Sequence, residues 1–190
     1  MFNRKDHFYK RAKKEGKASR AAYKIDEIQN KYKIIRKGDS VLELGAAPGG
    51  WMETIQQWVG HKGNVIGIDL LPLKIKLAPH SHFFQTDFNQ VDFGEKQFQV
   101  IVSDLSPDLT GIPFRDTAQS FEMAQSIFSF CSKWLAPKGN LVFKIFPSEE
   151  FHRWLKEMKD HFEETKIFVP EASRKESSEV YCIAKGWKKD

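Results

Sequence analysis

At 190 residues, 41% of them hydrophobic and 29% charged, the chain is long enough to bury one substantial core and has the composition of a soluble globular protein. No apolar run approaches the roughly 20 residues of a membrane span, and the basic, polar N-terminus lacks the apolar stretch of a secretory signal, so no membrane partner is expected. Only two cysteines occur, Cys131 in a helical pattern and Cys182 in a strand pattern, which argues against a disulfide framework and for a reducing cytoplasm.

The net charge of +5 is unevenly spread. Residues 1–24 hold nine Lys and Arg against Asp6 and Glu15, a local balance of +7, while the rest of the chain stands at −2. Phe8, Tyr9 and Tyr23 are interleaved with the basic residues. A basic arm over 1–17 with aromatics nearby suits phosphate contact and base stacking. A solvated charge run reads the same way on composition alone.

Apolar residues at 22, 25 and 28 predict a helix over 18–31, with Ser19 as N-cap and no capping box because Ala22 occupies its third position. From Gly38-Asp39 onward strands alternate with helices. The pattern predicts strand 40–45, helix 50–59, strand 64–69, strand 82–85, strand 98–103, helix 115–135, strand 140–146 and helix 148–161. Pro137-Lys138-Gly139 is expected to end the long helix. Phe151, Trp154, Leu155 and Met158 share one face of the last helix. Strands 165–169 and 179–186 follow with no helix between them. The alternation predicts an α/β fold, a mostly parallel seven-stranded sheet with helices on both faces; the missing last helix predicts an antiparallel final strand. One domain over 18–190 is expected.

The most informative stretch is Val-Leu-Glu-Leu-Gly-Ala-Ala-Pro-Gly-Gly-Trp at 41–51, an apolar strand running into a glycine-rich turn and a helix. Asp69 ends the second strand 20 residues after Gly49, where an acid can take both hydroxyls of a ribose. A dinucleotide fingerprint G-x-G-x-x-G fails, because its second glycine falls on Ala47. S-adenosylmethionine carries no phosphate and a cationic sulfonium, and suits a loop flanked by Glu43, Asp69, Asp87 and Asp104. An ordinary βα turn with glycines for tight packing is the plain alternative. Asp69, Asp87, Asp104 and Lys144 all fall at or near strand ends, and ligands of open α/β sheets bind beyond the carboxyl ends of the strands.

Lys144 lies inside the apolar run Leu-Val-Phe-Lys-Ile-Phe, where a lysine is costly unless paired, used or snorkelling to the surface. Asp104 on the neighbouring strand offers a partner. Methyl transfer from a sulfonium to a hydroxyl fits this set, because a ribose hydroxyl is a weak acid and needs a base or a cation beside it.

The chain resembles the FtsJ/RrmJ (RlmE) family of ribosomal RNA 2′-O-ribose methyltransferases from about residue 10 to 187. The likeness rests on ordered motifs: Ser-Arg-Ala-Ala-Tyr-Lys-Ile-Asp-Glu-Ile at 19–28, Leu-Gly-Ala-Ala-Pro-Gly-Gly-Trp at 44–51 and Asp-Leu-Leu-Pro at 69–72. Ser-Asp-Leu-Ser-Pro at 103–107, Phe-Lys-Ile-Phe at 143–146 and Ser-Ser-Glu-Val-Tyr at 177–181 follow. The resemblance implies a Rossmann-like methyltransferase fold and a catalytic tetrad of Lys24, Asp104, Lys144 and Glu179. Lys144 is then the base at the 2′-hydroxyl, or the group that lowers its pKa. Asp104 holds Lys144, while Lys24 and Glu179 orient the ribose. Alone, Lys24 reads as one more residue of the arm and Glu179 as a strand-edge acid.

The resemblance also implies S-adenosylmethionine bound by Gly45, Ala46, Pro48, Gly49, Gly50 and Trp51 of the loop, by Asp69 and Leu70, by Asp87 near the adenine and by Asp104 near the methionine end. No metal is implied. RNA would be met by Lys10, Arg11, Lys13, Lys14, Lys17, Arg20, Arg174 and Lys175. The implied substrate is a uridine in the A-loop of large-subunit rRNA, and a monomer is expected. The tRNA anticodon loop, cap methylation and a non-catalytic RNA-binding or ribosome-assembly module are the alternatives. The chain departs from the family pattern at Asp108, where Asn is usual, and at Pro147-Ser148-Glu149, where a Gln-Gly stretch is usual.

Overall fold

The computed structural model describes residues 14–15, 18–173 and 178–188. Seven strands form one sheet: β1 Ser40–Leu44, β2 Asn64–Asp69, β3 Ser81–Gln85, β4 Phe98–Ser103, β5 Leu135–Ile145, β6 Phe162–Phe168 and β7 Val180–Trp187. Their order across the sheet is β3-β2-β1-β4-β5-β7-β6. All pairings from β3 to β5 are parallel, and β7 lies antiparallel between β5 and β6, as the helix-free last connection predicts.

Among the described residues four α-helices cover the sheet: α1 Ala21–Tyr32, α2 Gly50–Val59, α3 Pro113–Trp134 and α4 Glu149–His161. The central strands are mostly apolar because both their faces are covered. Leu42, Leu44, Ile66, Ile68, Ile101, Leu141 and Phe143 pack with the buried residues of α3 and α4. The alternate residues Val41, Val65, Val100, Val102 and Val142 pack with Ile25, Ile28, Trp51, Met52 and Ile55 of α1 and α2. Cys131 and Cys182 are free buried thiols, their pKa values pushed up by burial. Among the described residues no helix is long and apolar enough to cross a membrane.

Two local expectations are corrected. Helix α1 begins at Ala21 with Arg20 in the N-cap position; Ser19 helps from one residue further out, its Oγ accepting from Ala21 N at 3.2 Å. Pro137-Lys138-Gly139 does not end α3. The helix stops at Trp134, β5 starts at once, and the three residues form an irregularity inside the strand. There the register with β4 jumps from Phe98 opposite Leu135 to Val100 opposite Asn140. Lys138 adopts φ 63°, a left-handed conformation that re-aims the strand.

Chain order starts at β1, moves out to β3, and returns to β4 on the other side of β1. The loops after β1 and β4 therefore diverge, which opens a crevice at the carboxyl edge. Helix α1 packs beside α2 on the face of Val41 and Val142, and Gln29 fastens its far end. The Gln29 Nε2 donates to Ile35 O at 2.7 Å and its Oε1 accepts from Ile35 N at 3.0 Å, so one side chain satisfies both backbone groups of Ile35. Removing both bonds in Gln29→Ala is expected to cost about 1–3 kcal/mol in urea unfolding without changing the fold; an unchanged midpoint would show that the clamp contributes nothing.

Candidate active site

The loop after β1 is built by close packing. Gly49 sits at φ 116°, and a Cβ there would fall 2.7 Å from the Ile75 side chain. At Gly50 a Cβ would lie 2.1 Å from Ser19 Oγ, so glycine lets the start of α1 rest on the start of α2. Trp51 is 2% exposed, donates from Nε1 to Ala21 O at 2.8 Å and packs on Tyr181. It anchors α1 from beneath and does not line the cleft. Asp69 ties the loop to β2: its Oδ2 accepts from Ala47 N at 2.8 Å and its Oδ1 from Leu71 N at 2.8 Å. Both oxygens retain lone pairs for a ligand.

A cleft of about 670 Å³ opens beside this loop. Gly45, Asp69 and Leu70 form one wall, Asp87 and Phe88 another, and Leu105 to Asp108 after β4 a third. The Asp87 carboxylate is aimed by Asn89, whose backbone N donates to Oδ1 at 2.9 Å. Asp69, Asp87, Asp108 and Glu122 place four acids around the cleft, a lining that favours a cationic ligand over a pyrophosphate. Of the residues expected to hold a cofactor, Gly45, Asp69, Leu70 and Asp87 line it directly. Ala46, Pro48, Gly49 and Gly50 shape the loop behind it.

The four separated charges of the implied tetrad converge in two ion pairs. Lys144 Nζ lies 3.2 Å from Asp104 Oδ1 and donates to the Asp104 carbonyl at 2.7 Å. Lys24 pairs with Glu179, both side chains being about nine-tenths buried. Period-2 alternation explains the meeting: Lys144 shares the face of Val142 and Asp104 continues the face of Val102, and this is the face that α1 covers. Lys24 comes from α1, and Glu179 precedes β7.

Tyr181 joins the two pairs. It stands opposite Lys144 in the β5–β7 register, its hydroxyl donates to Asp104 Oδ1 at 2.6 Å, and Lys24 Nζ sits 5.8 Å from its ring centroid. Burial, then the charges of Asp104 and Glu179, push the Tyr181 pKa well up, so the phenol keeps its proton and stays a donor. Residue-by-residue reading missed this tyrosine; its signal was its place two residues after Glu179 on one strand face. The β6–β7 connection is fastened to α1 as well. Glu27 accepts from Glu171 N at 2.7 Å and Ala172 N at 2.9 Å, and Arg20 donates to the Ala172 carbonyl. Ser173 then donates to Glu179 at 3.0 Å. Arg20, expected on RNA, is thus engaged in holding this connection. Lys14 is exposed, whereas Lys10, Arg11, Lys13, Lys17, Arg174 and Lys175 lie outside the described residues. Among the described residues no cluster of His, Cys, Asp and Glu could hold a metal ion.

Glu43, one of the four acids expected to flank the loop, is instead buried inside β1 and does not line the cleft. It is 1% exposed, and its Oε2 has no hydrogen-bond partner. Desolvation, then the charges of Asp104 and Asp69, raise its pKa well above the ordinary carboxylate range, so the folded chain keeps a proton that the unfolded chain has released. Stability therefore falls as pH rises from the ordinary carboxylate range toward the raised value. Glu43→Gln has no such proton to lose. Against wild type it is expected to gain stability as pH rises above the ordinary carboxylate range, by up to about 1.4 kcal/mol per pH unit in urea unfolding. A difference that does not change with pH would mean that the buried carboxyl is ionised throughout.

The chain matches the FtsJ-like methyltransferase family over residues 18–187. It is 38% identical over 195 residues to ribosomal RNA large subunit methyltransferase E of Methanobrevibacter smithii, covering 99% of this chain and 93% of that protein. The protein of the same name from Desulfatibacillum aliphaticivorans is 38% identical over 190 residues, covering 97% and 91%. Among solved structures, a chain from Plasmodium falciparum described as a candidate ribosomal RNA methyltransferase superposes with a TM-score of 0.78 at 24% identity, covering 90% of this chain and 98% of that one. Human methyltransferase-like protein 13, solved in complex with SAH, superposes at 0.56 with 12% identity, covering 82% and 74%. These two likenesses bear on the fold, a Rossmann-like methyltransferase sheet. With a match running from the start of α1 to the end of β7 and relatives aligned over nearly their whole length, the chain belongs to the FtsJ-like methyltransferase family.

Proposed function

We propose that this protein is an S-adenosylmethionine-dependent RNA 2′-O-ribose methyltransferase, and that its substrate is a uridine in the A-loop of large-subunit rRNA. The observation that carries the reading is the buried Lys144–Asp104 pair, linked through Tyr181 to Lys24–Glu179, beside a cleft lined with acids. The relatives named for large-subunit rRNA support the substrate. S-adenosylmethionine supplies an electrophilic methyl group on a sulfonium. Asp69 would hold its ribose, Asp87 its adenine and the Asp104 side its methionine end, and the acidic lining suits its positive charge.

Lys144 is the base at the ribose 2′-oxygen, taking the hydroxyl proton on Nζ. Its two contacts to Asp104 fix where that nitrogen points. Tyr181 and Lys144 both hold the Asp104 carboxylate, so the acid cannot swing away. Lys24 and Glu179 orient the acceptor ribose from the α1 side. The basic arm over 1–17 supplies phosphate contacts, and residues 18–190 act as one methyltransferase domain.

Two outcomes are expected. Lys144→Ala abolishes tritiated methyl transfer to unmodified large ribosomal subunits while cofactor affinity stays within a few-fold; turnover retained in that variant removes the assigned role. Transfer by the wild type only to tRNA would overturn the substrate and leave the chemistry. Deleting residues 1–17 weakens RNA binding and flattens its dependence on salt, because fewer counterions are released. Unchanged affinity and slope would take the arm out of the interface.

A further inference from the structure

The segment between β4 and α3 leaves the reacting centre directly. It begins at Asp104, and Leu105, Ser106, Pro107 and Asp108 line the cleft. The next residues turn apolar side chains to solvent: Leu109 is 59% exposed, Ile112 56% and Phe114 85%, the most exposed large hydrophobic residue among those described. This tip is held in shape. The Asp116 carboxylate accepts from Thr110 Oγ1 and Thr110 N at 2.7 Å each and from Gly111 N at 3.1 Å. Those bonds, led by the Thr110 hydroxyl, hold the Asp116 carboxyl below its usual range. An ordered loop that presents a phenylalanine to water invites a partner.

Helix geometry places the ring. Ser120 Oγ accepts from Phe146 N at 3.0 Å, so this turn of α3 is level with the carboxyl end of β5, two residues past Lys144. Phe114 lies six residues earlier on α3. At a rise of 1.5 Å per residue it stands about 9 Å beyond the sheet edge from which Lys144 and Asp104 project. It flanks the reacting centre on the α3 side, while Lys24 and Glu179 flank it on the α1 side. Arg115 is exposed beside it.

We infer that Phe114 is a stacking platform for an unpaired nucleobase next to the methylated ribose, with Arg115 facing the adjoining phosphate. The inference rests on the RNA methyl-transfer reading above. The occupant follows from continuity: the tip runs on from Asp104 past the Leu105–Asp108 wall of the cofactor cleft, and the acceptor ribose must meet the methyl group at the Asp104 end of that cleft. A nucleotide whose sugar reaches that end leaves its neighbours unstacked, and an aromatic face beside it replaces the lost stacking without reading the base. Phe114 is a positioning residue here, and it does not touch the reacting atoms.

The test compares wild type, F114A, F114L and F114W in methyl transfer to unmodified large ribosomal subunits, with cofactor affinity measured alongside. F114A and F114L are expected to raise KM for the subunit about tenfold, with kcat and cofactor affinity unchanged, and F114W to restore the wild-type value. A wild-type KM in F114A overturns the inference alone. So does a wild-type KM in F114L, which would mean simple apolar contact. Concentration-dependent self-association of the wild type that disappears in F114A would assign the patch to a second copy and also overturn it. Absence of methyl transfer by the wild type to any RNA overturns the functional reading, and this inference with it.

Discussion

A charge taken out of water costs several kcal/mol unless another charge or a set of hydrogen bonds replaces the solvent. Lys24, Lys144, Asp104 and Glu179 are all largely buried at one edge of the sheet, so each is held there by its partner. The pairs draw on α1, β4, β5 and the residue before β7, elements spread over most of the sequence. Much else in the structure serves that meeting. Trp51 supports α1 from below, Gln29 fastens its far end, and Glu27 and Arg20 lock the β6–β7 connection against it.

The same constraint explains why Tyr181 and Glu43 are kept neutral. Asp104 is shared by Lys144 and Tyr181, and a phenolate beside it would add a second negative charge with no cation to spare. Glu43 faces the charges of Asp69 and Asp104 from the buried side, and keeping its proton removes a repulsion that nothing else would offset. Negative charge is thus held where a lysine pairs with it, at Asp104 and Glu179, or where it faces the cleft, at Asp69 and Asp87.

The loop glycines illustrate how a ligand motif can have a structural cause. Gly49 and Gly50 read in the sequence as bare backbone for a cofactor. In the fold, the atoms that would collide with a side chain belong to Ile75 and Ser19. The glycines let three elements crowd together, and the cleft is what remains on the other side of the crowded loop. Trp51, matched by motif to the cofactor, works from the core for the same reason.

Strand and helix positions were legible from the sequence because they depend on local periodicity: β2, β4 and α2 fall where alternation and helical spacing put them. The antiparallel last strand was legible from a missing crossover, and the edge on which Asp69, Asp87, Asp104 and Lys144 gather followed from the parallel order. The end of α3 was not legible, since Pro137-Lys138-Gly139 carries a turn signal whether it ends a helix or kinks a strand; the register of β5 against β4 decided it. Physics at single positions marked Lys144, because a lysine in an apolar strand is costly, but left Lys24 and Glu179 to the family motifs. What brings them together is the packing of α1 over the β5–β7 pair, a contact between residues 155 positions apart. Local sequence determines which elements form and in what order; only tertiary structure decides which charges share a dry site, because burial and partnership are set by distant segments meeting.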